Sequence, residues 1–254
     1  MPVMFVGHGN PMNAITDNSY VSGWRAMVKD VPRPEAVLCV SAHWNTRGLK
    51  VNTSPKPVTI HDFWGFPREL FQVSYPCPGS PEWSRKAVTA VTTTQVQEDA
   101  ERGLDHGTWA VVKWMYPEAD VPVFQMSLDT SRSPSFHYDL GRQLSPLREK
   151  GVLLIGSGNM VHNLAMMEMV DGSPPYDWAV EFDDLFKGFI KNGEHGRLIN
   201  YQKLGPHSRL AIPTPEHYLP LLTVLGASNM GEHVEFYNPS IDLRSVSMTS
   251  VKIG

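Results

Sequence analysis

Val152-Leu153-Leu154-Ile155-Gly156-Ser157-Gly158-Asn159-Met160-Val161-His162 begins as an unbroken apolar stretch and ends in a glycine-rich turn that delivers a histidine. Consecutive apolar residues bounded by turn formers read as a strand buried on both faces, as in the interior of a parallel sheet. The same pattern occurs twice more. Residues 3–6 run into Gly7-His8-Gly9-Asn10-Pro11, and residues 36–40 run into Ser41-Ala42-His43-Trp44. A further apolar run covers 121–128, and the quoted one is taken as a strand over 151–155. In open α/β sheets, ligands bind in the crevice outside the carboxyl ends of the strands. Three strands that each run out into a histidine place His8, His43 and His162 at that edge. Imidazole is the commonest protein ligand for metals such as zinc and iron.

Segments of helical composition lie between the strands, at 20–29, 81–92, 107–115, 134–149 and 178–191. Another follows at 215–225, with a weakly alternating final strand over 246–253. Strand–helix alternation predicts an α/β fold, a single domain over residues 1–254 with a central, mostly parallel sheet flanked by helices. The chain has 254 residues, 41% of them hydrophobic and 19% charged, enough to bury a sizeable core. Its formal charge of −4 argues against a nucleic-acid binder working by bulk electrostatics. No apolar run approaches the ~20 residues of a membrane span. The first residues lack the basic and apolar regions of a signal peptide. Cys39 sits in an apolar run and Cys77 in a Pro-Cys-Pro-Gly turn, which excludes a disulfide framework and leads us to expect a reducing, cytoplasmic compartment. No phosphate loop, H-E-x-x-H, Rossmann glycine fingerprint or G-x-S-x-G elbow is present.

Ten histidines stand among few charges. His217 lies in Pro213-Thr214-Pro215-Glu216-His217-Tyr218, where Thr214 suits an N-cap and Pro215 the first helical position. The positive helix end would keep that imidazole neutral, the form that binds metal. His106 follows Asp105, a candidate cap for the helix after it, and reads as a structural or second-sphere residue. His61 opens the aromatic loop Thr59-Ile60-His61-Asp62-Phe63-Trp64-Gly65-Phe66-Pro67, either a pocket wall or a loop packed on the body. His137, His195, His207 and His233 lie in polar contexts and are expected at the surface.

Taken in order, Gly7-His8-Gly9-Asn10-Pro11-Met12, Ser41-Ala42-His43-Trp44, His61-Asp62-Phe63, Asp105-His106-Gly107-Thr108-Trp109, Gly158-Asn159-Met160-Val161-His162-Asn163-Leu164 and Thr214-Pro215-Glu216-His217-Tyr218-Leu219-Pro220 form one constellation spanning nearly the whole chain. It resembles the class III extradiol ring-cleavage dioxygenases, the LigB superfamily, and within them the branch that cleaves 4,5-DOPA. The resemblance implies metal ligands at His8, His43 and His217, with Glu216 as the alternative third ligand. It implies an acid–base role for His162, close enough to ligate the metal as well, and a second-sphere role for His106. One divalent metal per chain is implied, Fe(II) for activity, though an all-histidine set suits zinc too. The partners implied are a catechol and O₂, the product a ring-opened semialdehyde, and the assembly a monomer or homodimer. His61, Trp44, Phe63 and Tyr218 are expected to line the substrate site, each with a packing role as the alternative. Two rival functions use the same residues: a zinc hydrolase with His162 as base, and a non-catalytic metal-binding protein.

Overall fold

Val3 to Val6, Val37 to Cys39 and Val152 to Ile155 are almost wholly excluded from solvent, and they form the middle of one sheet. The computed structural model describes residues 1–169 and 173–254. Its strands are β1 (Val3–Gly7), β2 (Ala36–Thr46), β3 (Leu49–Asn52), β4 (Val96–Asp99), β5 (Val123–Asp129), β6 (Val152–Gly158), β7 (Val234–Tyr237), β8 (Ile241–Asp242), β9 (Val246–Ser247) and β10 (Ser250–Ile253). Eight strands line up in the order β4-β3-β5-β2-β6-β1-β10-β7. The central pairings β5/β2, β2/β6 and β6/β1 are parallel, and β10 and β7 extend the β1 edge in antiparallel fashion. β8 and β9 pair separately.

Strand alternation divides the core into two layers. Val3, Phe5, Leu38, Val40 and Leu154 pack with Leu140, Phe182, Phe186 and Leu221 on one face. Met4, Val6, Val37, Cys39 and Ile155 pack with Trp24, Met27, Trp109 and Val112 on the other. Each such large apolar side chain contributes on the order of 1.5–3 kcal/mol when buried. Both faces are thereby covered by helices, which is why the central strands read as continuous apolar runs.

The four long strands and most helices fall where the sequence places them, with four differences of physical interest. Residues 134–149 are two helices, Pro134–Leu144 and Pro146–Glu149, because Pro146 has no N–H to continue the ladder. The helix expected over 215–225 is Leu219–Ala227, with Pro220 in its first turn. Pro215 to Tyr218 instead form a turn in which the Pro215 carbonyl accepts from Tyr218 and Leu219 N–H. The final strand over 246–253 is broken into β9 and β10. His137, expected at the surface, is fully buried, whereas His207 and His233 are exposed and His195 is half-buried. The His137 Nε2–H donates to the Asp129 carbonyl at 3.1 Å from inside the helix that Ser133 caps. No helix among the described residues is long and apolar enough to cross a membrane.

Candidate metal centre

Backbone devices at three strand ends bring the histidines together. β1 ends at Gly7, and His8 N–H donates to the Gly158 carbonyl of β6 at 3.1 Å before the chain turns through Gly9 at φ 58°. β2 bulges: between the pairs Val40/Met126 and Asn45/Leu128 it advances five residues against two on β5. Such a bulge re-aims side chains, and this one carries His43. β6 ends at Gly158, where a Cβ would stand 2.1 Å from the His217 carbonyl oxygen. Only glycine admits that approach, and Asn159 N–H then donates to the same carbonyl at 2.9 Å. His162 is tied to the neighbouring loops by its N–H to the Ala211 carbonyl at 2.9 Å.

Ligand-capable atoms of His8, His43 and His217 lie within 4.8 Å of one another. The Nε2 atoms of His8 and His43 are 3.1 Å apart. His162 belongs to a group with His217 and Glu216 rather than to that triad, its ring stacked on His217 at 3.6 Å and 9°. His106 stands beside His43, ring centroids 4.0 Å apart. The sequence thus names every imidazole of this cluster.

A second partner decides which nitrogen of the His8 ring faces inward. Ser157 Oγ gives its proton to the Gly107 carbonyl at 2.5 Å, so His8 Nδ1–H donates to that Oγ at 3.0 Å and the Nε2 lone pair is left toward His43. Glu216 Oε1 lies 3.4 Å from His217 Nδ1 and accepts from Thr214 Oγ1 at 2.7 Å. Ser41 Oγ donates to Asp105 Oδ1 at 2.7 Å and accepts from His43 N–H at 3.2 Å, clamping the bulge to the next helix. As the sequence suggested, Asp105 caps that helix, His106–Met115, by accepting from Thr108 N–H.

All four inner rings are held neutral. Burial, reinforced by the neighbouring imidazoles, lowers the pKa of His8 and His217 well below the ordinary value. Burial and His106 take His43 to about 3, against the opposing pull of Asp62. Burial takes His162 to about 4, with Glu216 pulling the other way. Four neutral imidazoles crowded at one strand edge each keep one nitrogen lone pair free to bind a metal. Two nitrogens bound at ~2.0–2.1 Å to one tetrahedral ion would lie about 3.3 Å apart. The observed 3.1 Å between the His8 and His43 nitrogens matches that separation, so the residues fit a divalent metal.

Asp62, which the sequence offers with His61 as a contact for a polar substrate tail, meets His106 instead, a contact the sequence does not reveal. One carboxylate oxygen accepts from His106 N–H at 2.9 Å, and the other lies 3.0 Å from His106 Nδ1 and 3.7 Å from His43 Nδ1. Burial opposes its ionisation, but hydrogen bonding from His106 outweighs that and holds its pKa at about 2. Its only sequence signal is its place between His61 and an aromatic run.

The four residues expected to line the substrate site make different contacts. Phe63 does border the cluster, its ring 5.5 Å from that of His106. Tyr218 does not, since its ring packs on Tyr201 and Phe186 and its hydroxyl donates to the Leu198 carbonyl at 2.9 Å. Successive residues in a turn point apart, so His217 facing the cluster sends Tyr218 into the core. Trp44 is buried under the Arg102 guanidinium, 5.1 Å from its ring. His61 donates its Nε2–H to the Val73 carbonyl at 3.0 Å and faces a cleft of about 780 Å³ that contains none of the cluster histidines.

Comparison with known proteins agrees with this geometry. A family model described as the catalytic LigB subunit of aromatic ring-opening dioxygenase matches residues 2–253. The 4,5-DOPA dioxygenase extradiol of Escherichia coli K12 is 44% identical, over 100% of this chain and 95% of its own length. The enzyme of that name from Beta vulgaris is 37% identical, over 98% of this chain and 94% of its own. The crystal structure of an uncharacterized Escherichia coli K12 protein superposes with a TM-score of 0.88 at 40% identity, covering 100% of both chains. A strand edge carrying a histidine triad, on a fold and sequence shared along the full chain, places this protein in the LigB family of aromatic ring-opening dioxygenases.

Proposed function

We propose that the chain, a single catalytic domain over residues 1–254, is an extradiol dioxygenase that opens a catechol ring, with DOPA as the substrate type. His8, His43 and His217 would hold one Fe(II). The observation that carries this is the convergence of three neutral imidazoles within 4.8 Å, with His162 and His106 on either side of them. The DOPA-type substrate is supported by what the relatives are called.

When bound, iron(II) supplies a Lewis-acid and redox centre at which a catechol and O₂ can react. The chain's own residues do the rest. His162, outside the triad, takes a catechol hydroxyl proton on its imidazole and returns it as the ring opens. Glu216, close enough to favour the charged form of His162, steadies the imidazolium between those two events. Phe63 covers His106 on the loop side and limits water there. Both oxygen atoms of O₂ end in the product, a ring-opened semialdehyde acid.

The test is anaerobic loading with Fe(II), then oxygen uptake with DOPA, dopamine, protocatechuate and catechol. We expect uptake with DOPA, and loss of metal in His8→Ala and His43→Ala. Iron retained with no uptake on any catechol would overturn the reading in favour of a non-catalytic metal protein. The free, buried thiols of Cys39 and Cys77 support a reducing cytoplasm as its compartment.

A further inference from the structure

Asp62 makes two kinds of contact with one residue, and together they constrain a proton. Its Oδ1 accepts from the backbone N–H of His106 at 2.9 Å. Its Oδ2 lies 3.0 Å from the buried Nδ1 of the same residue. That second contact falls outside hydrogen-bond geometry, and the buried Nδ1 has no hydrogen-bond partner. A bare Nδ1 lone pair facing a carboxylate oxygen at 3.0 Å is repulsive, whereas an N–H there is attractive even off the ideal line. The same Oδ2 is 3.7 Å from His43 Nδ1, beyond hydrogen-bond distance, so its close contacts are with His106 alone.

We infer that Asp62 is a positioning residue that fixes His106 as the Nδ1–H tautomer, so that His106 presents an unprotonated Nε2 as a hydrogen-bond acceptor to the ligand bound at the metal centre. In the proposed enzyme the donor for that nitrogen would be a catechol hydroxyl. O₂ has no proton to give, so the tautomer assigns His106 to the substrate side. This rests on the dioxygenase reading for the identity of the donor, but not for the tautomer. The ring is well placed, 4.0 Å from that of His43 and 5.6 Å from that of His8 by centroids. Because Oδ1 is held by the backbone N–H, the carboxylate cannot rotate away without leaving that donor unpaired.

Asp62→Asn turns the argument into a test. The backbone N–H of His106 can only donate, so the amide oxygen of the substituted side chain must face it and the amide NH₂ must face His106 Nδ1. That nitrogen then has to accept, which moves the ring proton to Nε2. ¹⁵N spectra of the zinc-loaded holoprotein distinguish the tautomers directly, with the His106 signals identified by their loss in His106→Gln. We expect Nδ1–H in the wild type and Nε2–H in Asp62→Asn. With iron-loaded protein, kcat/KM for DOPA should fall by about 10²-fold or more, the scale for losing a proton-handling group. Asp62→Glu, which keeps a carboxylate, should restore the wild-type tautomer and part of the rate. Nε2–H in the wild type, or an unchanged tautomer in Asp62→Asn, overturns the inference. A switched tautomer with undiminished kcat/KM overturns its functional half. Absence of catechol cleavage by the wild type, with the tautomers as expected, counts against the dioxygenase reading and leaves the positioning role standing.

Discussion

Gly158→Ala should break the metal centre by displacing His217, although neither the glycine nor the added methyl bears on the chemistry. The new Cβ would stand 2.1 Å from the His217 carbonyl oxygen and 3.0 Å from its carbonyl carbon. Both are backbone atoms, so no side-chain rotation relieves the clash. Restoring ordinary contact requires a movement of about 1 Å, and overpacking of this kind costs about 1–3 kcal/mol. The Asn159 N–H bond to the same oxygen, 2.9 Å here, would be strained or lost, adding about 1 kcal/mol. Ligand distances in metal sites are held to within about 0.2 Å, so a third ligand moved by about 1 Å is no longer a good one.

The expectation is therefore an apo-protein destabilised by about 2–4 kcal/mol in urea, and a zinc Kd raised at least about tenfold in chelator competition. Gly188→Ala is the control. It lies inside the helix Asp177–Lys191 with nothing within 4 Å of the built Cβ, and should stabilise by about 0.5–1 kcal/mol without touching metal affinity. If Gly158→Ala bound zinc within twofold of wild type and unfolded within about 0.5 kcal/mol of it, the close approach of β6 to His217 would not be what sets the third ligand.

Other expectations follow from particular contacts. Ser157→Ala removes the acceptor of His8 Nδ1–H and the donor to Gly107, and should weaken zinc binding about 10–100-fold by competition assay while the fold survives in circular dichroism. His162→Gln should leave stability within about 1 kcal/mol and lower DOPA turnover about 10²–10⁴-fold; near-normal turnover would remove the acid–base assignment, and a fall in iron content would make His162 a fourth ligand. His137 is buried neutral, its pKa lowered to about 4 by burial against the pull of the Asp129 carbonyl bond. The unfolded chain binds this proton first, near pH 6.5, so the stability His137 contributes is complete above that pH and is lost as pH falls toward 4, about 3 kcal/mol in all. Apo His137→Gln, which can still donate to Asp129, should show that much less acid sensitivity over this window in urea titrations, and an unchanged slope would contradict it.

The sheet was legible because its central strands are buried on both faces and therefore carry unbroken apolar runs. β3, β4 and β7 were not, because they add to the sheet away from its centre. Val96-Gln97-Glu98-Asp99 has one buried apolar residue, and all four residues of β7 are only half-buried. Such strands are defined by the neighbour they pair with, not by their own pattern. The helix start at 215 failed for a local reason. Thr214-Pro215 has the right residue types, but Pro220 also fits a first turn, and the packing of Leu219 to Ala227 against the sheet selected the later start. That choice frees the turn over Pro215 to Tyr218 to carry His217 into the cluster.

The candidate site divides the same way. His8, His43 and His162 were readable because each lies just past a strand or at its bulged end, so topology alone brings them to one edge. The residues that orient them were not, because each acts across the sheet rather than along the chain. Ser157 reaches His8 across β6 and β1, Asp62 reaches His106 from 44 positions away, and Ser41 joins a bulge to the cap of the next helix. Serine and aspartate at such places have ordinary local reasons to be present, in strand ends and loops, so nothing in their neighbours sets them apart. The aromatic residues behave differently: Trp44, Phe63 and Tyr218 all lie near a histidine in sequence, but a side chain next to an inward-facing residue most often faces outward or into the core. Phe63 alone meets the cluster because its loop, not its position beside a histidine, folds over His106. Tautomer control at His8 and His106 therefore depends on contacts between distant segments, and substitutions at Ser157 or Asp62 should act on metal and proton placement before they act on the fold.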